Sequence, residues 1–234
     1  MQLFYAPDIT RPVHTLSEQE SMHCIKVLRM GAGDTVHLTD GAGALFLGSI
    51  ENPHPKHCTV RITDTVEQFG RLPYSLSVAI APTKNIDRLE WFAEKATEIG
   101  IDRIIPIECT RSERRTLNTE RIERVVVSAM KQSVKAYKPE ITPLTPLREL
   151  IVRPFDGTKL IAHCDKSADR IPIGRAVVKG GDVLILIGPE GDFSPEEITF
   201  ARENGFRDTT LGDQRLRTET AALYATAAVS LVNQ

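Results

Sequence analysis

Two nearly continuous apolar runs constrain the fold most strongly. Residues 75–81 read SLSVAIA and residues 182–188 read DVLILIG. Runs as apolar as these are typical of strands that are buried on both faces of a parallel sheet. Between them lie segments with helical periodicity, such as 86–99, which ends at a glycine suited to a helix cap, Gly100. The alternation predicts an α/β domain with a mostly parallel sheet.

The remaining elements of this domain follow from the same patterns. Further strands are predicted at 103–108, at 158–164 and in a short run that ends at Leu211, and further helices at about 119–135, after Ser194 and from about Thr218.

The first third of the chain has a different character. Ser17 is a candidate N-cap whose capping box would be completed by Glu20, and strand-like runs follow at 35–39, 44–50 and 58–66. One helix with several short strands predicts a small β-barrel. We therefore predict two domains, 1–70 and 74–234, joined by the linker 69–74.

Composition excludes several classes of protein. The net charge is −2, so any RNA-binding surface must be local. The four cysteines are widely spaced, which predicts free thiols in a reducing cytoplasm, and the six histidines show no metal-ligand spacing, so no metal is expected. The N-terminus lacks the pattern of a signal peptide, and no apolar run reaches the ~18 residues that span a membrane.

The segment 183–205, VLILIGPEGDFSPEEITFARENG, carries the first chemical signal. A strand stops at Gly188, a glycine-rich loop follows, Ser194 begins a helix with a capping box to Glu197, and Gly205 closes that helix. Loops at the carboxyl ends of parallel strands often bind ligands, although such a loop can also be a plain connection. The loop matches neither GxGxxG nor the P-loop.

The segment 211–232, LGDQRLRTETAALYATAAVSLV, carries the second signal. A turn at Gly212 leads through Arg215 and Arg217 into an alanine-rich helix, for which Thr218 is the predicted N-cap. A stable packing helix explains the alanines, but it explains less well why two arginines precede the start of the helix.

Together these loops resemble a known family. The chain resembles the SPOUT-class ribosomal RNA small-subunit methyltransferase E family, which methylates N3 of a uridine in 16S rRNA. The resemblance lies in GPEGDFSPEE and LG–RLRTETA, and upstream of them in KATEIG at 95–100 and Arg111-Ser112. His23 with VLRM at 27–30 resembles the N-terminal domain of that family.

The resemblance implies a fold, a cofactor and a quaternary structure. The implied fold is a C-terminal SPOUT α/β trefoil-knot domain with an N-terminal PUA-like β-barrel, and the implied assembly is a homodimer. The implied cofactor is S-adenosylmethionine (SAM). The residues implied to bind SAM are Ala162, His163, Gly188, Pro189, Glu190, Gly191, Leu211, Gly212, Leu216, Arg217 and Thr218.

The chemistry of uridine suggests roles for two residues. N3 must lose a proton before it attacks a methyl group, so the site needs a base or a cation that stabilises the anion. We hypothesise that Arg217 is that cation and that Glu219 supports it. Glu219 can equally be an ordinary acidic residue in the first turn of a helix.

A local basic segment is the candidate RNA-binding surface. Residues 111–138 hold eight basic and three acidic side chains, which suits contacts with phosphates. The RNA-binding candidates are Arg29, Arg111, Arg114, Arg115, Lys131 and Lys135. For any one of them a solvated helix face is the alternative interpretation.

Three alternatives remain open at this point. The chain could be a ribosome-assembly factor without catalysis, an α/β enzyme with a nucleotide cofactor, or a SPOUT methyltransferase with another product such as a 2′-O-methylated ribose. The missing nucleotide motifs argue against the second.

Overall fold

The computed structural model describes residues 1–165 and 168–234, which divide into two compact units. The first unit consists of Met1–Arg71 and Val127–Lys138, and the second of Leu72–Val126 and Pro139–Gln234. The predicted domain bounds, 1–70 and 74–234, stay a prediction. The units differ from them because the segment Val127–Lys138 groups with the N-terminal strands.

The first unit is built on a mixed sheet in the order β1-β3-β4-β5-β2. Its strands are β1 (Leu3–Tyr5), β2 (Val13–Thr15), β3 (Thr35–Thr39), β4 (Leu45–Asn52) and β5 (Thr59–Val66). Strands β3, β4 and β5 lie at the three predicted strand-like runs and form an antiparallel meander. Strands β1 and β2 have three residues each and were not predicted, because so short a run has no readable period.

The helix of the first unit changes its hydrogen-bonding pattern halfway along. Helix α1 (Glu18–Met22) continues as a π-helical turn over His23–Val27. Ser17 caps it as predicted, since its hydroxyl accepts the N–H of Glu20 at 3.2 Å. The second hydrogen bond of the predicted capping box, from the Ser17 N–H to the Glu20 carboxylate, is wrong. That carboxylate accepts instead from the Tyr5 N–H at 3.3 Å and from Lys131 Nζ at 2.5 Å.

The segment Val127–Lys138 is joined to the turn between β3 and β4. The Gly43 N–H and the Thr39 hydroxyl both donate to the Ala136 carbonyl, at 3.0 Å and 3.2 Å. Gly43 has φ +115, and a Cβ there would lie 2.4 Å from the Tyr137 ring. No larger residue fits this turn without displacing the aromatic ring.

The second unit is built on a parallel sheet in the order β11-β13-β10-β12-β6-β7-β8, and β9 also pairs with β7. Its strands are β6 (Leu76–Ile80), β7 (Arg103–Glu108), β8 (Glu140–Ile141), β9 (Thr145–Pro146), β10 (Thr158–Ala162), β11 (Ile171–Pro172), β12 (Val183–Ile187) and β13 (Arg207–Thr210). Every residue of β6 and β12 is buried, which confirms the prediction made from the two apolar runs.

Helices cover both faces of this sheet. They are α2 (Ile86–Ile99), α3 (Thr119–Gln132), α4 (Leu147–Ile151), α5 (Ile173–Ala176), α6 (Pro195–Glu203) and α7 (Thr218–Val232). Alternate residues of β6 enter different apolar clusters: Val78 joins the cluster formed with α2 and α7, and Ala79 joins the one formed with α4 and α6. Burial of each large apolar side chain contributes about 1.5–3 kcal/mol. The result is a rigid sheet whose carboxyl edge carries the loops described next.

Candidate active site

The carboxyl ends of four neighbouring strands bring the predicted cofactor residues together. Strands β13, β10, β12 and β6 are adjacent and parallel, so the segments that follow them leave the sheet at one edge. Ala162 ends β10 and His163 follows it, the Gly188–Gly191 loop follows β12, and the 211–217 segment follows β13. This edge is where ligands bind in open α/β sheets.

The loop after β12 is shaped by its first glycine and by an acidic side chain. A Cβ on Gly188 would lie 3.1 Å from the Phe193 ring, so the close approach of that ring favours glycine. Gly188 and Pro189 are buried, whereas Glu190 and Gly191 are exposed. Glu190 Oε1 accepts the N–H of Lys84, in the segment after β6, at 3.2 Å. The loop is therefore tied to its neighbour on the sheet.

A single hydrogen bond joins the two motif loops. The Thr218 hydroxyl donates to the Gly188 carbonyl at 3.1 Å, and both residues are buried. The prediction of Thr218 as the N-cap of α7 is wrong: Arg217 is the N-cap, with an extended backbone, and Thr218 is the first helical residue. The hydroxyl of Thr218 bonds to the loop after β12 instead of capping the helix.

The two candidate catalytic residues lie in different surroundings. Arg217 is exposed, whereas Glu219 is buried in the first turn of α7. Glu219 Oε1 lies 3.8 Å from Arg88 Nε of α2. Within the described part of the chain, Glu219 Oε2 is buried and has no hydrogen-bond partner. A buried carboxylate oxygen left unpaired is costly, which is typical of a group that meets a ligand.

His163 is enclosed by the protein. Its side chain is fully buried, Nδ1 accepts the N–H of Asp165 at 3.3 Å, and Nε2 lies 3.4 Å from Asp208 Oδ1 without completing a hydrogen bond. Its carbonyl accepts from Arg170 Nη1 at 2.6 Å. The imidazole therefore faces the inside of the unit, and a ligand would meet at most the backbone of His163.

Asp208 of β13 completes this buried group. Arg202 of α6 donates three hydrogen bonds to its carboxylate, at 2.6 to 3.0 Å. Burial by itself would raise the pKa of Asp208, but the Arg202 hydrogen bonds and the nearby His163 hold that pKa below its usual value. The carboxylate therefore stays ionised and links β13, α6 and the end of β10.

The RNA-binding candidates of the second unit have partners within the protein. Arg111 Nη1 donates to the Gly191 and Phe193 carbonyls, at 2.8 Å and 3.3 Å. Arg114 donates through Nε to the Thr83 carbonyl and through Nη2 to the Lys84 carbonyl, at 3.2 Å and 2.8 Å.

Arg115 differs from these two arginines. It is exposed, and its Nη1 lies 3.2 Å from the Glu108 carboxylate at the surface.

The candidates of the first unit also differ among themselves. Arg29 is exposed, with a left-handed φ of 57. Lys131 forms the ion pair with Glu20 noted above. Lys135 is partly buried, and burial lowers the pKa of its ammonium group. Of the three, Arg29 is the most accessible to a phosphate.

Glu197 is a residue of this region whose wider role the sequence did not reveal. The predicted capping box is confirmed, since Ser194 Oγ accepts the Glu197 N–H and Glu197 Oε2 accepts the Ser194 N–H at 2.8 Å. Its other oxygen accepts from both the N–H and the hydroxyl of Thr110, at 2.7 Å and 3.0 Å. No local pattern connects two residues that lie 87 positions apart in the chain.

The described residues contain neither a cluster of three or more potential metal ligands nor a helix long and apolar enough to cross a membrane.

Two family models match the chain. The RNA methyltransferase domain matches residues 70–230, and the RNA methyltransferase PUA domain matches residues 16–63. The first match covers well over half of the chain and includes both motif loops.

Individual relatives agree with these matches. Ribosomal RNA small subunit methyltransferase E of Bacillus subtilis is 27% identical, over 94% of this chain and 90% of that protein. A probable rRNA-methyltransferase of Porphyromonas gingivalis is 43% identical, with a TM-score of 0.94 over 100% of this chain and 98% of that one. Ribosomal RNA small subunit methyltransferase E of Neisseria gonorrhoeae, solved with bound S-adenosyl methionine, is 26% identical, with a TM-score of 0.89 over 100% and 98%.

These similarities confirm the predicted fold class, a C-terminal SPOUT α/β trefoil-knot domain with an N-terminal PUA-like β-barrel. They extend over both units and over the whole of the described chain. The chain therefore belongs to the ribosomal RNA small subunit methyltransferase E family of RNA methyltransferases.

Proposed function

We propose that the protein transfers the methyl group of SAM to N3 of one uridine in the 16S rRNA of the small ribosomal subunit. The observation that carries the proposal is the hydrogen bond from Thr218 to Gly188, which joins the two motif loops at the carboxyl edge of the sheet. The names of the relatives support the rRNA substrate. The choice of N3 rests on the likeness of the two motifs to those of the family.

The residues at this edge suit SAM. A Cβ built on Gly212 meets no atom within 4 Å, so the turn after β13 leaves open space around this residue. Ala162, Leu211 and Leu216 are apolar and half-buried, as an adenine-binding slot requires. The residues that would hold SAM are Ala162, His163, Gly188, Pro189, Glu190, Gly191, Leu211, Gly212, Leu216, Arg217 and Thr218. SAM supplies an electrophilic methyl group when bound.

Two side chains of this chain serve the acceptor base. Arg217, which is exposed, stabilises in this proposal the negative charge that develops on the uridine as its N3 proton leaves. The unpaired Oε2 of Glu219 can accept a hydrogen bond or that proton. N3 lies on the Watson–Crick edge, so the target uridine must be unpaired or extruded when it reacts.

The same proposal includes partners. The helix α7 exposes Tyr224 and Leu231, which are 49% and 67% exposed, and Val178 is 62% exposed. Large apolar side chains exposed together favour burial against another surface, and we propose a second copy of this chain, a homodimer. Of the RNA-binding candidates named above, Arg29, Arg111 and Arg115 are exposed. An enzyme acting on ribosomal subunits would work in the cytoplasm.

The decisive experiment is methyl transfer from labelled SAM to small ribosomal subunits that lack the modification, followed by identification of the labelled nucleoside. N3-methyluridine at a single position is the expected product. A 2′-O-methylated nucleoside would contradict the proposed position of methylation. Subunits that remain unlabelled, with a protein that does not bind SAM, would point to a non-catalytic assembly factor.

A further inference from the structure

A short segment after β7 contacts the loops of two neighbouring strands. We call residues 110–114 the strap. It begins where β7 ends, in a tight turn in which the Ser112 hydroxyl accepts the Cys109 N–H at 2.9 Å and the Ser112 N–H donates to the Cys109 carbonyl at 3.0 Å. Ser112 is buried, so the strap has a fixed position against the sheet.

One end of the strap is fixed to α6. Thr110 donates twice to Glu197, whose other oxygen caps the helix through Ser194. Glu197 is 4% exposed, so these charged hydrogen bonds are sheltered from water. A sheltered carboxylate that accepts three hydrogen bonds makes a firm anchor.

The two arginines of the strap contact backbone carbonyls on opposite sides. Arg111 reaches the Gly191 and Phe193 carbonyls in the segment after β12, and Arg114 reaches the Thr83 and Lys84 carbonyls in the segment after β6. These two segments are themselves joined, since Lys84 donates its N–H to Glu190. The strap, the loop after β12 and the segment after β6 thus form a closed set of contacts.

We propose that Arg111 and Arg114 are positioning residues that hold the Gly188–Gly191 loop in the shape that binds the cofactor, and that they are not phosphate contacts for RNA. The inference deepens the proposed function and rests on it. A guanidinium presents several N–H groups in a fixed fork, so one side chain can satisfy two carbonyl oxygens of one loop. A lysine keeps the charge but cannot reproduce this geometry.

Arg115 provides the contrast within the same segment. It contacts the side chain of Glu108 at the surface, and it touches neither of the two loops. Surface ion pairs of this kind contribute little to stability. The charge of Arg115 is therefore available to an RNA phosphate, and its substitution should leave the cofactor loop undisturbed.

The test compares the full-length R111K, R114K, R111A and R115A enzymes. We expect R111K and R114K to raise the KM for SAM about ten- to a hundredfold. R111K loses charged hydrogen bonds to the segment after β12, and R114K loses those to the segment after β6 that is bonded to Glu190. The salt dependence of RNA binding should stay unchanged, because the lysine charge remains and no phosphate contact has been removed. R115A should weaken RNA binding but leave the Kd for SAM, measured by calorimetry without RNA, within about twofold of the wild type.

Several outcomes would overturn the inference. An R111A enzyme with an unchanged KM for SAM and a salt slope of RNA binding reduced by about one would show a phosphate contact instead. A lower Tm with unchanged KM values in both lysine variants would show a merely structural role. Wild-type protein that does not bind SAM would overturn the proposed function and this inference together, whereas wild-type binding with unaffected variants would overturn the inference alone.

Discussion

Adjacent residues at the start of α7 have opposite surroundings. Thr218 is buried and bonded to the Gly188 carbonyl, whereas Arg217 before it is exposed. Thr218 is the first residue of α7, so its buried hydrogen bond fixes the start of the helix. The start of the helix in turn sets the position of Arg217, which is its N-cap. The side chain proposed to stabilise the uridine anion is thereby positioned by a neighbour that does no chemistry.

Arg217→Ala should lower kcat by about a hundred- to a thousandfold, since a cation aimed at a developing anion contributes this much in comparable sites. The affinity for SAM should change less than kcat does. Rates of methyl transfer at saturating SAM and a calorimetric measurement of SAM binding test this. Arg215→Ala, which changes another exposed arginine of the same loop, is the matched control. A wild-type rate in the Arg217→Ala enzyme would rule out the role.

Thr218→Val tests the contact between the two loops. Valine has nearly the same shape, so the change removes one hydrogen bond and leaves the buried Gly188 carbonyl without its partner. We expect a loss of about 1–3 kcal/mol in the free energy of unfolding and weaker binding of SAM. Thr218→Ser, which keeps the hydroxyl, should retain most of both quantities. Equal behaviour of the two variants in denaturant unfolding would contradict this account.

Some elements of the second unit are readable from the sequence because local signals and tertiary burial agree. Helix α2 begins and ends at the predicted residues, with Asn85 as N-cap and Gly100 as C-cap, and α6 carries its predicted capping box. Strands β8, β9 and β11 have two residues each and owe their existence to the neighbouring strand. Such strands have no pattern of their own, so the sequence could not predict them.

The pair of strands β10 and β13 is held at its carboxyl end by Asp208, which gives a prediction about pH. The pKa of Asp208 is lowered in the folded protein, so its contribution to stability is complete above the unfolded value, 3.8, and is lost as the pH falls through the lower folded value. Asp208→Asn should cost about 1–3 kcal/mol near neutral pH, and this difference should shrink below about pH 4.

Chemical denaturation of wild type and Asp208→Asn across the acidic range measures this difference. Asp213→Asn, which changes an exposed aspartate after the same strand, is the control. A difference that stays constant from neutral to strongly acidic pH would show that the ionised carboxylate is not what stabilises this edge.

At the scale of the whole molecule, the sequence places the two motif loops better than it predicts what holds them. The Gly188–Gly191 loop could be placed because it follows the apolar strand β12, whereas the Gly212 loop follows the polar strand β13 and was placed by its resemblance to a family motif. The partners of Arg111 could not, because its carbonyl acceptors lie 80 and 82 positions away and any exposed arginine is an equally good RNA candidate. Every residue has a backbone carbonyl, so no pattern of residue types shows which carbonyls will accept a hydrogen bond.

The proposed homodimer gives a prediction about association. Replacement of Tyr224 and Leu231 by aspartate should shift the protein towards the monomer, because each new charge would have to lose its hydration in an apolar interface. Sedimentation velocity over a range of concentrations measures the distribution of species. Val152→Asp, at an exposed apolar residue away from α7, is the control. Unchanged sedimentation of the double variant would place the interface elsewhere or exclude a dimer.

The complete burial of β6 and β12 has a consequence for the timescales of motion in this enzyme. Amide hydrogens in strands covered on both faces exchange with solvent only when the whole unit opens, whereas exposed loop amides exchange through small local fluctuations. The Gly188–Gly191 loop, which would meet the methyl donor, therefore follows one of the slowest-exchanging strands of the unit. Binding of SAM should slow exchange in that loop by suppressing its local fluctuations, and in β6 and β12 only through the added stability of the folded unit.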